Sequence, residues 1–131
     1  MDLSDKSRKE IGDIGERTAA EYLKRRGFRI RGHNIGRKTG ELDIVAERDG
    51  TLHAVEVKTM LCRDFPEESG DRDEYDPAMN LHEAKIRRVA RTAEWYVAET
   101  DWEGEWQVDG ALVWLRERDG MAKVQYLPQI V

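Results

Sequence analysis

Gly40-Glu41-Leu42-Asp43-Ile44-Val45-Ala46-Glu47-Arg48-Asp49-Gly50-Thr51-Leu52-His53-Ala54-Val55-Glu56-Val57-Lys58-Thr59 reads as two β-strands folded back on one another. Gly40 to Ala46 is the first and Leu52 to Thr59 the second. Asp49-Gly50 between them is a strong hairpin signal, because a type I′ turn needs φ > 0 at both central residues. A two-residue turn sets Arg48 across from Thr51. Counting outward from there puts Asp43 opposite Glu56 and Glu41 opposite Lys58. Side chains alternate along a strand, so all four point to one face. The opposite face reads Leu42, Ile44, Ala46, Val55 and Val57, with His53 its one polar member. A three-residue loop with a bulge would slip the pairing by one, yet Glu56 and Lys58 would still share a face.

Two carboxylates directly across a sheet repel. Asp43 and Glu56 therefore need one of three things: a proton, basic side chains crowding in, or a cation bridging them. Oxygen ligands at this charge density suit Mg²⁺ or Mn²⁺.

Composition bounds the rest. With 131 residues the chain is expected to be a single domain over 1–131, large enough to bury a core. Charged residues are 37% of it, and no apolar run is long enough to span a membrane. The polar N-terminus carries no secretory signal, and the single cysteine, Cys62, excludes an internal disulfide; both point to a cytoplasmic protein. The net charge of −5 argues against a nucleic-acid partner, but the charge is segregated. Seven basic residues and no acid lie between Tyr22 and Lys38: Lys24, Arg25, Arg26, Arg29, Arg31, Arg37 and Lys38. Lys85, Arg87, Arg88 and Arg91 form a second cluster. Seven acids against Arg72 alone fill Asp64 to Asp76, inside a long polar loop expected over 61–78. Each such run is by default a solvated face. The acidic loop is read as disordered, or as a flap that occupies a basic groove when substrate is absent.

Working outward, Ser7 with Glu10 is a capping box, and a helix runs from there to about Arg26, stopped by Gly27. Ile11, Ile14, Thr18, Tyr22 and Leu23 form its apolar stripe. Glu16 lies at the border of that stripe: a solvated flank residue, or a carboxylate leaning over the charged end of the sheet. Phe28 to Ile35 reads as a strand and Gly36 to Gly40 as a basic loop. Asn80 and Glu83 open a second helix ending near Glu99, with Leu81, Val89, Ala93, Tyr96 and Val97 as its stripe. Lys85 falls inside that arc and must snorkel out or meet an acid. Trp106 to Leu115 is a buried strand, and Asp119-Gly120 turns the chain into a last strand from Ala122 to Leu127. The order α-β-β-β-α-β-β predicts an α/β domain with a mixed β-sheet flanked by two main helices.

Asp43, twelve residues, then Glu56-Val57-Lys58 matches the acid and Asp/Glu-x-Lys signature of metal-dependent nucleases. Glu-x-Lys alone is cheap and recurs at Glu83-Ala84-Lys85, but that copy is helical, so its two side chains diverge. Only the strand copy presents both together, opposite another acid.

With those residues in view the chain resembles the YraN family, bacterial proteins predicted to be endonucleases of the restriction-endonuclease-like PD-(D/E)xK fold. The matching residues are Gly12, Gly15-Glu16, Ala19 through Tyr22-Leu23, Asn34, Gly40-Glu41-Leu42-Asp43, Glu56-Val57-Lys58, and Lys85 with Arg88; the likeness covers essentially the whole chain. It implies that Asp43 and Glu56 are metal ligands and Lys58 the catalytic lysine. Glu16 matches the helix-one acid of Holliday-junction resolvases, which implies a further ligand. The proline of the signature is Leu42 here. The resemblance implies phosphodiester hydrolysis with Mg²⁺ (or Mn²⁺) on nucleic acid, DNA favoured, structure-selective or nonspecific. Arg26, Arg29, Arg31, Arg37, Lys38, Lys85 and Arg88 are expected to bind the phosphate backbone. Resolvase-like relatives act as dimers, so a homodimer is compatible. The alternative is a non-catalytic nucleic-acid-binding module on the same fold, its acids held in an ion-pair network that includes Glu41 and Lys58. A small phosphohydrolase acting on nucleotides lacks a base-recognition motif.

Overall fold

The computed structural model describes residues 2–37, 40–66 and 83–131. Lys38, the helix-opening Asn80, the stripe residue Leu81 and all of the acidic loop beyond Pro66 lie outside the described residues. The chain runs α1 (Arg8–Arg25), β1 (Arg29–Arg37), β2 (Gly40–Arg48), β3 (Thr51–Cys62), α2 (Glu83–Glu99), β4 (Glu105–Arg116) and β5 (Ala122–Leu127). That is the expected α-β-β-β-α-β-β order. No helix among the described residues is long and apolar enough to cross a membrane.

Local chemistry explains each boundary of α1. Ser7 Oγ accepts from the Glu10 N–H, and Glu10 Oε1 accepts from the Ser7 N–H, both at 3.1 Å. At the other end Gly27 takes φ +87°, and the N–H groups of Phe28 and Gly27 return to the carbonyls of Leu23 and Lys24. This is a Schellman stop, which needs a residue that tolerates the left-handed region. Mid-helix, a Cβ on Gly15 would strike Thr59, so α1 lies hard against β3.

The sheet order is β1-β2-β3-β4-β5, antiparallel throughout except for β3–β4. Two antiparallel strands need only a tight turn, and Asp49 (φ +52°) and Gly50 (φ +78°) supply it. The parallel β3–β4 pair needs a crossover instead, which contains α2. The two helices cover opposite faces. Ile11, Ala19 and Leu23 of α1 bury Ile44, Ala46 and Val55 with Ala111, Val113 and Leu115. Val89, Ala93 and Tyr96 of α2 bury Leu42, Val45, Leu52 and Ala54 with Val108.

The expected division into one apolar and one charged face is therefore corrected. Val45, Leu52 and Ala54 share the parity of Asp43 and Glu56 yet are core residues under α2. Leu42 sides with them rather than with Ile44. A sheet covered on both faces is apolar on both; what is charged is one end of it. A smaller difference is that β1 begins at Arg29 and runs through Gly36 to Arg37, residues read as loop, because they pair with Glu41 and Gly40. Likewise β3 continues through Leu61 and Cys62, read as the start of the loop, because they pair with Leu115 and Arg116.

Candidate functional site

The β2–β3 register matches the count from the turn, from Arg48↔Thr51 to Ile44↔Val55. The ladder stops one pair short of the acids. There Asp43 turns its carboxylate into the gap, and Oδ2 accepts the Val57 N–H at 2.9 Å. The two strands part at this point, and the parting opens a hollow between them.

Glu56 faces the hollow from β3 with a side chain only 3% exposed. Burial and then the neighbouring Asp43 charge push its carboxyl up to about 7, against the pull of Lys85. Lys85, from the first described turn of α2, sets its Nζ 2.6 Å from Glu56 Oε1. Burial acts to lower the Lys85 pKa, but the Glu56 hydrogen bond and charge outweigh it and the net shift is upward. Glu56 Oε2 is buried with no hydrogen-bond partner among the described residues. A buried carboxylate oxygen left without a donor costs free energy and is a natural ligand position.

Glu16 approaches from α1. Its pKa is raised, first by burial and then by the charges of Asp43, Asp13 and Glu41. Asn34 links it to the hairpin. In the orientation that satisfies both partners, the Asn34 amide donates to Glu16 Oε1 (3.0 Å) and Glu41 Oε1 (2.9 Å). Asn34 does this from left-handed backbone, φ +51°, which asparagine tolerates better than most residues. Glu41 is thus held by Asn34, and no ion pair joins it to Lys58 among the described residues. Lys58 instead lines an open cleft of about 730 Å³ with Glu16, Asp43, Lys85, and Lys6, Arg8 and Lys9 around the start of α1. A second hollow of about 240 Å³ lies behind it, between Gly40, Glu41, Asp43, Glu56, Lys85 and Arg88.

The four acids do not stand as one ligand cluster: no group of three or more His, Cys, Asp or Glu among the described residues is placed to hold a metal ion. The reason is visible in their partners. Asp43 and Glu56 form a pair shared with Lys85, while Glu16 and Glu41 form a pair held by Asn34. The donor chemistry of the first pair, carboxylate oxygens with one orphaned, fits a hard divalent ion such as Mg²⁺.

Lys85 pairs with Glu56, and Arg88 lines the small hollow beside it. Arg26, Arg29, Arg31 and Arg37, expected to join them, are engaged elsewhere. Arg29 and Arg31 reach Glu47 at 2.7 and 3.4 Å, and Arg31 also donates to the Tyr96 hydroxyl. Arg26 lies over Tyr22 and Arg37 over Trp95. The antiparallel pairing accounts for two of these: Arg29 and Arg31 sit at the turn end of β2, the end away from Asp43.

Two features escaped the sequence. Lys6, Arg8 and Lys9 flank a capping box and so fall at the mouth of the cleft; the box was legible, its consequence was not. The second is Asp109, wholly buried in β4. It accepts from the Tyr126 hydroxyl, the Gln107 side chain (2.7 Å) and the Gln129 N–H (2.9 Å), and lies 2.6 Å from His53 Nδ1. Burial alone would raise its pKa, but these hydrogen bonds hold it below the ordinary value. An acid amid Val108, Ala111 and Leu112, next to a histidine on an apolar face, was the available signal.

The model of the uncharacterised protein family UPF0102 matches residues 15–115. Curated relatives carry the same family name. One from Syntrophotalea carbinolica is 35% identical over 92% of this chain and 90% of its own. One from Nitratiruptor is 31% identical over 79% of this chain and 81% of its own. A third, from Symbiobacterium thermophilum, is 37% identical over 69% of each. The matched span takes in α1 from Gly15, the hairpin, α2 and β4 to Leu115.

Proposed function

The chain belongs to the UPF0102 family, and we propose that it is a metal-dependent endonuclease that hydrolyses phosphodiester bonds of nucleic acid, DNA before RNA. The observation that supports this reading most is the acid pair at the parted strands: Asp43 beside a buried Glu56 with one unpartnered oxygen, Asp43 also lining the cleft that holds Lys58.

Asp43 and Glu56 would hold the ion, and Glu16 is the nearest further carboxylate on α1. Mg²⁺ bound there supplies a Lewis acid for a phosphate oxygen and an acidified water. The chain's own groups do the rest. The Val57 N–H fixes the orientation of Asp43 by donating to Oδ2. Asn34 keeps Glu16 and Glu41 at the rim instead of letting them repel each other. Lys58, two residues past Glu56 on β3, stabilises negative charge on the phosphate and orients the attacking water. Lys6, Arg8, Lys9 and Arg88 border the two hollows and would contact backbone phosphates, which carry no base information. Structure-selective or nonspecific cutting follows from such contacts.

The test is incubation of labelled duplex, single-stranded and branched DNA, and RNA, with Mg²⁺ or Mn²⁺. Wild type is compared with Asp43→Ala and Lys58→Ala. Cleavage lost in both variants with binding retained is the expected result. Binding without cleavage by the wild type would establish the non-catalytic binding module instead.

A further inference from the structure

We infer that Lys85 is the cation resident in the acid pair, that a divalent ion must displace it to bind, and that the displaced ammonium then serves the substrate phosphate. This rests on the metal-site reading of Asp43 and Glu56.

The geometry is specific. Lys85 Nζ sits 2.6 Å from Glu56 Oε1, and no other described cation pairs with Glu56. Glu56 Oε2 has no partner, and Asp43 has given Oδ2 to the Val57 N–H. The ammonium thus occupies one of the few carboxylate oxygens the pair can offer a ligand. A divalent ion on the same oxygens would meet a like charge at contact distance, where attraction and repulsion are both poorly screened. The two cations are therefore mutually exclusive.

Lys85 is built to leave. Its side chain is 47% exposed, while that of Glu56 is 3% exposed, and it leaves α2 one turn before buried Val89 on a flexible four-carbon stem. It borders both hollows, the small one with Glu56 and the open cleft with Lys58. Leaving Glu56, it swings into the cleft without any helix movement and stands where a phosphate would lie beside Lys58. Metal occupancy and phosphate affinity are thereby coupled through one side chain: the free site holds one ammonium against its acid pair, and the loaded site gains a mobile cation for the strand. Lys85 acts on the acids through its charge, so it is a positioning residue as far as metal is concerned.

Mn²⁺ binding, measured by calorimetry in the absence of nucleic acid, tests this apart from cleavage. Lys85→Met should bind Mn²⁺ at least about tenfold more tightly than wild type, and adding Glu56→Gln should abolish the gain. Should Lys85→Met fail to fold, the wild type decides. With lysines reductively methylated using a ¹³C label, the Lys85 resonance should shift on adding Mg²⁺ and lose the signature of an ion-paired ammonium. Equal or weaker Mn²⁺ binding by a folded Lys85→Met, or a Lys85 resonance unmoved by saturating Mg²⁺, overturns the inference and leaves the metal site standing. If neither wild type nor Lys85→Met takes up millimolar Mn²⁺, the metal site itself fails and the inference with it.

Discussion

Glu56→Gln should make the metal-free protein more stable above neutral pH and no different in acid. Glu56 has an ordinary carboxyl pKa of 4.5, raised to about 7 in the folded chain, first by burial and then by Asp43. Below 4.5 the carboxyl is protonated in both folded and unfolded states and contributes no pH dependence. Between 4.5 and about 7 the unfolded chain releases the proton first, so unfolding gains ground as pH rises. Above 7 the loss is complete. At about 1.4 kcal/mol per pH unit, the gap between the two values gives a ceiling of about 3 kcal/mol. Glutamine keeps the shape and cannot ionise, so its variant escapes that loss. Lys85, already half-exposed, turns to water. For a chain of this size the gain corresponds to a Tm increase on the order of 10 °C at pH 8, shrinking to nothing near pH 4. Thermal and urea unfolding with a chelator present, at pH 4, 6 and 8, measures it. Saturating Mg²⁺ should reverse the order, stabilising wild type alone. A variant no more stable than wild type at pH 8, or a difference that does not change with pH, would refute the buried-charge account.

Asp109→Ala strands His53, Tyr126 and Gln107 in the core and should cost about 3–5 kcal/mol in urea unfolding. Gly15→Val drives two methyl groups into Thr59; about 1–3 kcal/mol of destabilisation is expected, with α1 and Glu16 lifted from the sheet, read as a lower Tm and weaker Mn²⁺ binding. Asn34→Ala leaves Glu16 and Glu41 without their shared donor, so metal-free stability at pH 8 should fall in urea unfolding. Arg29→Ala with Arg31→Ala should leave DNA affinity unchanged, because both side chains meet Glu47 at the turn end of β2, away from the cleft, whereas Lys6→Ala with Lys9→Ala, at the cleft, should weaken it several-fold and flatten its salt dependence.

The hairpin shows how far local chemistry reaches. Asp49-Gly50 can take positive φ at two successive positions, so the turn length and the register as far as Ile44↔Val55 follow by counting. The capping box at Ser7 and the Gly27 stop are equally local and were equally readable. The two-faced core was not. Leu42 and Ile44 differ by two positions and would share a face in a regular strand, yet one lies under α2 and the other under α1. No periodicity in the strand announces that, because it depends on the crossover that brings α2 to the far face.

The placement of the charges was likewise not local. Arg29, Arg31 and Glu47 are far apart in sequence and opposite in sign, and pairing β1 with β2 brings them together at the turn end, away from the acids. Lys6, Arg8 and Lys9 look like ordinary solvated residues until α1 docks Gly15 on Thr59 and sets its first turn and the residues before its cap along the cleft. What the sequence alone determined was everything set by neighbours along the chain: the strands, the tight turn, the helix ends and the acids presented by them. Tertiary structure decided which cation meets which carboxylate. Electrostatic partners are chosen by distance in space, and in this fold the packing of two helices on opposite faces sets those distances.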